Sequence, residues 1–356
     1  MGLVKFGDLV NEVKINIDRN KNPYEYYVAG DHMDSEDLTI RRRGSFATDD
    51  VGPAFTRLFK PGQILYGSRR TYLKKVAVAD FEGICSNTTF VLETKDESIL
   101  RQRLLPFIML TDDFTKWSIS KSKGSTNPYI LFSDLANYEF DLPDIGRQDE
   151  LVKLLWQAYE TKESYKEMIR ATDEMVKSQF IEQFGTSDSN YNGYSVVPFS
   201  EMCYDDTKSA TKIPADDYKE SGTYAIFDQS TQNHIAGYYD AEQGVNIDYP
   251  VILFGDHSRV FKYIQQPFFI GADGVKIIRL KTKEDPEFVF YELLYSHIPN
   301  TGYNRHFKWV KELSLRIVEP QEQQRFLRLA HQADKSKFEL KQAIEKIDKV
   351  MRALMQ

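Results

Sequence analysis

Three short polar motifs have residue types that could support catalysis. Asn-Pro-Tyr at 127–129 partly matches an element that holds an adenine amino group in methyltransferases, but one proline is absent and no Gly-x-Gly cofactor turn follows a strand elsewhere. Pro-Asp at 143–144 with Glu-Thr-Lys at 160–162 matches a metal-nuclease pattern, yet 160–162 is predicted to be helical, and these carboxylates need adjacent strands to share a metal. Asp256 and His257 could form an acid–base pair, but adjacent side chains on a tight turn diverge. The sequence therefore predicts no catalytic residue.

Metal binding and disulfide formation are not indicated either. The histidines have no metal-ligand spacing, and Cys85 and Cys203 lie in different halves of the chain. Two isolated cysteines make neither a disulfide framework nor a four-ligand zinc site. No apolar run reaches the roughly 18–20 residues of a membrane span, and the N-terminal residues do not predict a signal peptide. We therefore expect a cytoplasmic protein that binds no metal.

Basic residues cluster with Ser, Thr, Asn and aromatic residues in both halves of the chain. Lys and Arg suit contacts with phosphates, and neutral polar side chains suit hydrogen bonds with base edges. The net charge of −7 argues against a protein covered in positive potential, but the placement of the charges decides whether nucleic acid binds. The alternative is that these clusters are only solvated surface charges. The candidate DNA-binding residues are Arg41, Arg42, Arg43, Arg69, Arg70, Lys74, Lys121, Lys123, Ser125, Asn127, His257, Ser258, Arg259, Lys262, Tyr303, Asn304, Arg305, His306 and Lys308.

A repeated helical pattern must position these clusters. The sequence LVKLLWQA at 151–158 returns as FLRLAHQA at 326–333, 175 residues later. Apolar residues continue from each at alternating steps of four and three, which is typical of a coiled coil, and Lys162 and Lys337 share one polar position of the repeat. We therefore predict two long helices that pack against each other as an antiparallel coiled coil, rather than two amphipathic helices that each pack on their own domain. The predicted interface is Leu151, Leu155, Ala158, Tyr165, Ile169, Val176, Phe326, Ala330, Ala333, Leu340, Ile344, Ile347 and Met351.

The rest of the chain is predicted to form two globular units of the α/β (α+β) class. Short strands separated by turn residues favour a mixed sheet in each unit, and the duplication predicts a pseudo-twofold internal repeat. The predicted order is a globular unit, a long helix, a second globular unit and a second long helix, at 1–143, 144–185, 186–318 and 319–356. The predicted strands are 62–66, 75–79, 88–93, 251–254, 260–263, 268–270 and 274–280, and the predicted shorter helices are 100–117 and 288–297.

Several motifs together resemble the specificity subunits of type I restriction–modification systems. The family pattern before each long helix is roughly Leu/Ile-Pro-Pro-Leu-x-Glu-Gln, and its Gln is matched by Gln148 and Gln323. In the first copy, Asp-Ile-Gly-Arg at 144–147 replaces the usual Pro-Leu-x-Glu. The resemblance covers essentially the whole chain. It also includes YPVILFGDHSR at 249–259, FIGADGV at 269–275, GICSN at 83–87 and MVKSQFIEQFG at 175–185.

The resemblance implies a DNA reader that performs no chemistry by itself. The globular units would be target-recognition domains that each read half of a bipartite site in double-stranded DNA, and the helices would set the spacer. The implied partners are two methylation subunits, which bind S-adenosylmethionine, and restriction subunits, which use ATP and Mg²⁺; this chain would bind no cofactor. Two alternatives stay open: a stand-alone DNA methyltransferase or nuclease, and a coiled-coil scaffold without a role at DNA.

Overall fold

A computed structural model describes residues 2–18, 21–186, 191–231, 234–241, 243–271, 273–302 and 304–355. The chain divides into two compact units, Met1–Tyr165 with Gln342–Gln356, and Lys166–Lys341. Each unit mixes helices and sheets, as the sequence predicts. The polar stretch TSDSNYNGY at 186–194, which the sequence favours as a linker, lies partly outside the described residues, at Ser187 to Asn190. Across the described part of the chain, no helix combines the length and apolar character needed to cross a membrane.

The described residues of the first unit contain ten strands. They are β1 (Gly2–Lys5), β2 (Val10–Glu12), β3 (Tyr26–Val28), β4 (Gly44–Ser45), β5 (Phe55–Phe59), β6 (Ile64–Gly67), β7 (Val76–Val78), β8 (Gly83–Ser86), β9 (Thr89–Thr94) and β10 (Glu139–Leu142). One sheet has the order β2-β9-β6-β7 and is antiparallel throughout. A second sheet has the order β4-β3-β8-β5, with β3 and β8 parallel. Strands β1 and β10 form a separate antiparallel pair.

The second unit repeats much of this arrangement. Its described strands are β11 (Val196–Pro198), β12 (Cys203–Asp205), β13 (Lys212–Ile213), β14 (Tyr224–Phe227), β15 (Gly237–Tyr239), β16 (Val251–Gly255), β17 (Phe261–Ile264), β18 (Phe268–Gly271), β19 (Val275–Leu280) and β20 (Ser314–Arg316). The antiparallel sheet has the order β12-β19-β16-β17, and the second sheet has the order β13-β18-β14-β15. Strands β11 and β20 form the separate pair.

Nine α-helices lie in the described residues. They are α1 (Phe6–Leu9), α2 (Leu105–Leu110), α3 (Asp112–Lys121), α4 (Phe132–Leu135), α5 (Ile145–Phe184), α6 (Phe199–Met202), α7 (Pro286–Leu294), α8 (Phe307–Lys311) and α9 (Pro320–Leu354). The single helix predicted at 100–117 is wrong, because it is two helices separated at Thr111. That residue has an extended backbone, and its side-chain oxygen accepts a hydrogen bond from the N–H of Phe114 at 3.3 Å, which caps α3.

The central strands β6 and β16 explain where the core lies. Successive side chains of a strand point to opposite faces of its sheet. In β6, Tyr66 joins the cluster that packs against helices, and Leu65 joins the cluster shared with the second sheet. In β16, Phe254 joins a helix-side cluster, and Leu253 joins the cluster shared with the second sheet. Both faces are covered, so these strands are apolar at every buried position rather than at alternate ones.

The long helices α5 and α9 pair antiparallel within the second unit. Asp173 of α5 accepts a hydrogen bond from Lys337 Nζ of α9 at 2.6 Å. Further along α5, the ring of Phe180 lies 5.2 Å from the ring of Phe326, which is earlier in α9. Rising numbers on one helix thus meet falling numbers on the other, which is the predicted antiparallel arrangement.

The same pairing occurs within the first unit, between the beginning of α5 and the end of α9. Lys162 Nζ donates to Asp348 at 2.6 Å, while the later Met351 and Leu354 pack against a cluster that contains the earlier Leu151. Of the predicted interface, six side chains are buried and the others are half-buried. The buried ones are Leu151, Leu155, Val176, Phe326, Ala330 and Ala333.

A buried glutamine forms hydrogen bonds to the backbone at the start of each long helix. Gln148 donates through Nε2 to the carbonyl oxygen five residues earlier at 2.9 Å and accepts at Oε1 from the N–H of Arg101 at 2.9 Å. Gln323 donates to the carbonyl oxygen five residues earlier at 2.8 Å and accepts from the N–H of Asp285 at 3.0 Å. Gln148 therefore satisfies backbone groups in the segments that precede α5 and α2. Gln323 does the same for the segments that precede α9 and α7.

The C-terminal end of α5 is fixed by a buried arginine. Gly185 follows the last residue of the helix with φ +79°, the left-handed conformation typical of a C-terminal cap. Arg316 donates to the carbonyl oxygens of Phe184 at 2.6 Å and Gly185 at 3.0 Å, and its guanidinium pairs with Glu292 at 2.7 Å. A cation at this position satisfies terminal carbonyls and is favoured by the helix dipole. Arg316 thus ties α5 to β20 and α7.

Candidate nucleic-acid interface

Each unit brings one hairpin loop against one loop that precedes a short helix. In the first unit, the hairpin loop joins β6 to β7 (68–75) and the partner loop joins α3 to α4 (122–131). In the second unit, the hairpin loop joins β16 to β17 (256–260) and the partner loop joins α7 to α8 (295–306). Most of the predicted DNA-binding residues lie on these four loops. Tyr303 also belongs to the second partner loop but lies outside the described residues.

One backbone hydrogen bond is common to both pairs of loops. The N–H of Ile130 donates to the carbonyl oxygen of Ser68 at 2.9 Å, and the N–H of His306 donates to that of Asp256 at 2.8 Å. Ser68 and Asp256 each directly follow the glycine that ends the central strand, and all four residues are buried. The sequence therefore folds each unit so that loops distant in the chain share one anchoring point.

In the first unit, further backbone contacts order the two loops. Arg70 N–H donates to the carbonyl oxygen of Pro128 at 2.7 Å. Lys123 and Tyr129 exchange two backbone hydrogen bonds at 2.8 and 3.0 Å, which closes the partner loop on itself. The predicted contact residues Arg69, Arg70, Lys121, Lys123, Ser125 and Asn127 are all exposed on this framework.

The basic residues of the first unit differ in how they are paired. Among the described residues, no carboxylate lies within ion-pair distance of Arg69 or Arg70. Lys74 is different, because its ammonium group lies 2.9 Å from Asp112 and 3.1 Å from Glu36. Burial lowers the pKa of Lys74, but these two carboxylates outweigh burial and raise it overall. Arg69 and Arg70 are therefore available for an anion, whereas Lys74 anchors the hairpin loop.

Arg41 has a structural role that the sequence did not indicate. Its guanidinium pairs with Asp37 at 2.7 Å and with Glu163 of α5. Burial would raise the pKa of Asp37, but hydrogen bonds from Arg41, the Tyr159 hydroxyl and the backbone N–H of Thr39 lower it. This network ties the loop that carries Arg41 to α5 within the first unit.

The neighbouring arginines are also engaged. Arg42 pairs with Asp34, and the Arg43 guanidinium lies 3.6 Å from the centre of the Tyr26 ring. Both side chains keep an exposed surface. Their predicted contact with DNA would compete with these interactions, unlike a contact of Arg70.

Two predicted contact residues of the second unit are buried, and their assignment to a DNA-contacting surface is wrong. Lys262 is 5% exposed on β17, where its ammonium lies 3.7 Å from Asp228, and burial lowers the pKa of Lys262. His306 is fully buried. Its Nδ1 lies 3.0 Å from the Asp256 carbonyl oxygen, and its Nε2 accepts from the N–H of Thr301 at 3.3 Å. The imidazole thus carries its proton on Nδ1 and stabilises the loops from inside.

The remaining predicted residues of the second unit lie at its surface. His257 Nδ1 is 3.1 Å from the carbonyl oxygen of Asn304, so hairpin and partner loop also meet there. Arg259 has φ +62° and donates to the Ile298 carbonyl oxygen at 3.2 Å, which leaves it half-buried. Ser258 is half-buried, and Asn304, Arg305 and Lys308 are exposed.

The motifs considered for catalysis have structural roles. The carbonyl oxygen of Pro128, in the Asn-Pro-Tyr motif, accepts from Arg70. Asp144 caps α5 by accepting from Arg147 N–H at 3.0 Å, and Lys162 pairs across the helices. Asp256 accepts from the N–H of Phe307 at 2.7 Å. Among the described residues, no group of three or more His, Cys, Asp or Glu is placed to hold a metal ion.

Two exposed tyrosines complete the first-unit surface and were not among the candidates. Tyr72 on the hairpin loop is 54% exposed, and Tyr129 on the partner loop is 39% exposed. The Arg69 guanidinium lies 5.9 Å from the centre of the Tyr129 ring. The sequence signal was available as RRTYLKK at 69–75, where an aromatic residue interrupts a basic run.

Part of the chain matches a family model and a curated protein. The family model described as type I restriction modification DNA specificity domain matches residues 6–171. The type I restriction enzyme EcoDI specificity subunit of Escherichia coli is 29% identical over 143 residues, which is 39% of this chain and 31% of that protein. This chain thus matches about a third of the length of that curated relative.

Solved structures extend the likeness in fold to the whole chain. The S subunit of a type I restriction–modification system from M. genitalium is 15% identical, with a TM-score of 0.56 over 100% of this chain and 96% of that one. A chain from a study of complex assembly and conformational transition of the type I R-M system is 18% identical, with a TM-score of 0.54 over 99% and 96%. Residues 6–171 thus match the type I restriction modification DNA specificity domain, and the likeness in fold to these solved structures extends over the whole chain.

Proposed function

We propose that this chain recognises a bipartite sequence in double-stranded DNA, with one half-site read by the hairpin and partner loops of each unit. The observation that carries the proposal is the buried hydrogen bond shared by the two pairs of loops, Ile130 to Ser68 and His306 to Asp256. It supports two reading surfaces built on one plan. Among the described residues, Arg69 and Arg70 have no carboxylate within ion-pair distance. Since affinity for DNA needs phosphate contacts, these two arginines support binding more strongly than the net charge of −7 opposes it.

The exposed residues divide by chemistry. Arg and Lys suit phosphates, which position the protein, and neutral polar groups suit base edges, which carry the sequence information. In this proposal, the phosphate contacts come from Arg69, Arg70, Lys121, Lys123, Arg305 and Lys308. The base contacts come from Ser125, Asn127, His257, Ser258 and Asn304.

The helices α5 and α9 set the spacer between the half-sites. The support is a pair of equivalent ion pairs, Lys162 with Asp348 and Lys337 with Asp173, whose lysines and aspartates are each 175 residues apart. A slip of one helix along the other would separate both pairs at once, so they favour a single register. A single register gives a single spacer.

The chemistry resides on partner chains in this proposal. Two methylation subunits bind S-adenosylmethionine, and restriction subunits use ATP and Mg²⁺. This chain binds no cofactor and performs no catalysis by itself, and the assembly acts in the cytoplasm. The support is the family model that residues 6–171 match, together with the structural roles found for Asp144, Lys162 and Asp256.

The test is a genome-wide map of methylated bases in cells that express the full chain with its methylation subunits. We expect a motif of two defined blocks separated by unread positions of constant length. A single contiguous motif would contradict the division between two units. The absence of any chain-dependent motif would favour a scaffold, and methyl transfer or cleavage by the purified chain alone would favour the enzyme alternative.

A further inference from the structure

Tyr72 is an exposed aromatic residue of the first-unit hairpin loop. Its side chain is 54% exposed, whereas the adjacent Thr71 is 3% exposed. Among the described residues, the Tyr72 side chain has no hydrogen bond, ring contact or cation–π partner. Burial of an aromatic ring is favourable. An exposed ring on a basic loop is therefore better placed to be buried by a ligand than to stabilise the folded chain.

The backbone that carries Tyr72 is held in an uncommon conformation. Arg70 has φ +50° and Lys74 has φ +47°, both in the left-handed region, on either side of a tight turn at 71–73. Such residues are unfavourable and persist only where the surroundings fix them. Here the fixing contacts are Arg70 N–H to Pro128 at 2.7 Å and Lys74 to Asp112 at 2.9 Å. The ring is therefore presented by an ordered loop, and binding need not order it first.

Charge on the same loop identifies the class of ligand. Arg69 and Arg70 are exposed, and no described carboxylate lies within ion-pair distance of either. Two exposed arginines on the same loop as an exposed aromatic ring suit a polyanion that also offers flat or methylated apolar surfaces, which describes duplex DNA.

The hairpin loop of the second unit has no equivalent tyrosine. It has five residues, 256–260, against eight in the first unit, and contains no Phe, Tyr or Trp. Any effect of Tyr72 should therefore be confined to one half-site.

We propose that Tyr72 is a specificity-determining residue of the first unit, whose ring makes an apolar contact with a base edge, such as a thymine methyl group, in the major groove. Arg69 and Arg70 contact the flanking phosphates and hold the ring in place. This inference rests on the proposed DNA-reading function and adds a base contact that none of the predicted residues supplies.

The experiment compares full-length variants in complex with the methylation subunits, using the methylated motif of the wild-type chain as the probe. Tyr72→Ala should relax one base position in one half-site, with about tenfold weaker discrimination at that position. Tyr72→Phe should keep the motif, because the ring supplies the contact. Tyr204→Ala is the matched control, since Tyr204 is 40% exposed on β12, and it should leave the motif unchanged.

The outcomes separate this inference from the proposed function. A wild-type bipartite motif that persists unchanged in Tyr72→Ala and in a second variant, Tyr72→Gln, would overturn the role of Tyr72 and leave the proposed function standing. Equal relaxation of both half-sites, with unchanged thermal unfolding, would also overturn it. A wild-type chain without any motif would remove the proposed function and this inference together.

Discussion

The order β2-β9-β6-β7 of the first unit returns as β12-β19-β16-β17 in the second, antiparallel throughout, whereas the other four-stranded sheets differ at one edge. In the first unit that edge is β5, antiparallel to β8, and in the second it is β13, parallel to β18. An edge strand has only one neighbour, so it can change without disturbing the rest of its sheet. The shared sheet carries the hairpin loop in both units. The sheet that supports the loops is therefore common to both units, while the loops themselves differ.

The long helices are also fixed differently in the two units. In the first unit, the end of α9 packs through the apolar side chains Met351 and Leu354. In the second unit, the end of α5 is held by Arg316 and Glu292 as well as by aromatic packing. When an apolar side chain is replaced, its neighbours can repack at a modest cost in free energy. When one partner of a buried ion pair is removed, the other charge stays buried without a counter-ion, which costs more. The two ends should therefore respond unequally to substitution.

The largest expected effect is that of Arg316→Met. Removal of the guanidinium leaves Glu292 buried without its counter-ion and two carbonyl oxygens of α5 without their donor. We expect a loss of about 3–5 kcal/mol in the unfolding free energy of the second unit. Hydrogen exchange of the amides of β20 and α7 should accelerate, while that of β6 and β9 in the first unit should not.

Two further variants sharpen this prediction. Burial raises the pKa of Glu292 to about 7, although Arg316 opposes the shift, so this carboxyl is costly to leave ionised. The double variant Arg316→Met with Glu292→Leu should recover most of the loss. Arg101→Ala breaks an exposed pair with Asp149 in the first unit and should cost less than about 1 kcal/mol. A similar loss in both units for Arg316→Met would contradict the asymmetry.

Substitution of the two buried glutamines tests whether the start of each long helix is stabilised in the same way in both units. Gln148→Ala and Gln323→Ala each leave equivalent backbone groups without a partner, so each should cost about 2 kcal/mol in its own unit. Chemical denaturation followed by unit-specific hydrogen exchange would measure both losses. Gln324→Ala is the control, because its contact with Asp285 is exposed and should contribute less than about 0.5 kcal/mol. Clearly unequal losses of unfolding free energy for the two variants would mean that the hydrogen bonds of the two glutamines are not equivalent.

The two interhelical ion pairs should differ moderately in their coupling energies. The side chains of Lys162 and Asp348 are 11% and 32% exposed, against 20% and 57% for Lys337 and Asp173. Since water screens exposed pairs, we expect a coupling energy of about 1–2 kcal/mol for the first pair and below about 1 kcal/mol for the second. Double-mutant cycles to alanine would measure both values. A stronger second pair would show that burial is not the deciding factor.

The smallest effects concern single phosphate contacts. Arg70→Gln and Arg305→Gln should each reduce the magnitude of the salt slope of DNA binding by about 0.9, without changing the base sequence that is preferred. Footprints of the full complex at several salt concentrations should weaken at one half-site for Arg70→Gln and at the other for Arg305→Gln. Arg147→Gln, at the exposed start of α5, is the control. Equal weakening of both half-sites by either variant would refute independent reading.

The structure agrees with the sequence on the exposure of part of the candidate site, and the disagreements share one cause. The prediction from basic residues on loops placed Arg69, Arg70 and Arg305 at the surface, where the structure also has them, since exposed loops depend little on distant partners. Lys262 and His306 looked similar in the sequence but are buried, because Asp228 and Asp256 approach them from other parts of the chain. Arg41 is likewise held by Glu163 of α5. Composition reports which side chains can bind DNA, but not which are already bound within the protein.

Features that repeat locally could be read from the sequence. The 4–3 apolar spacing after Leu151 and Phe326 specified two long helices, and the apolar runs before Gly67 and Gly255 specified the central strands, because periodicity acts between near neighbours. The pairing of short strands such as β1 with β10, and the register in which Lys162 meets Asp348, became apparent in the folded structure alone. Those contacts join residues far apart in the chain. Their stability comes from burial that exists only after the units have folded.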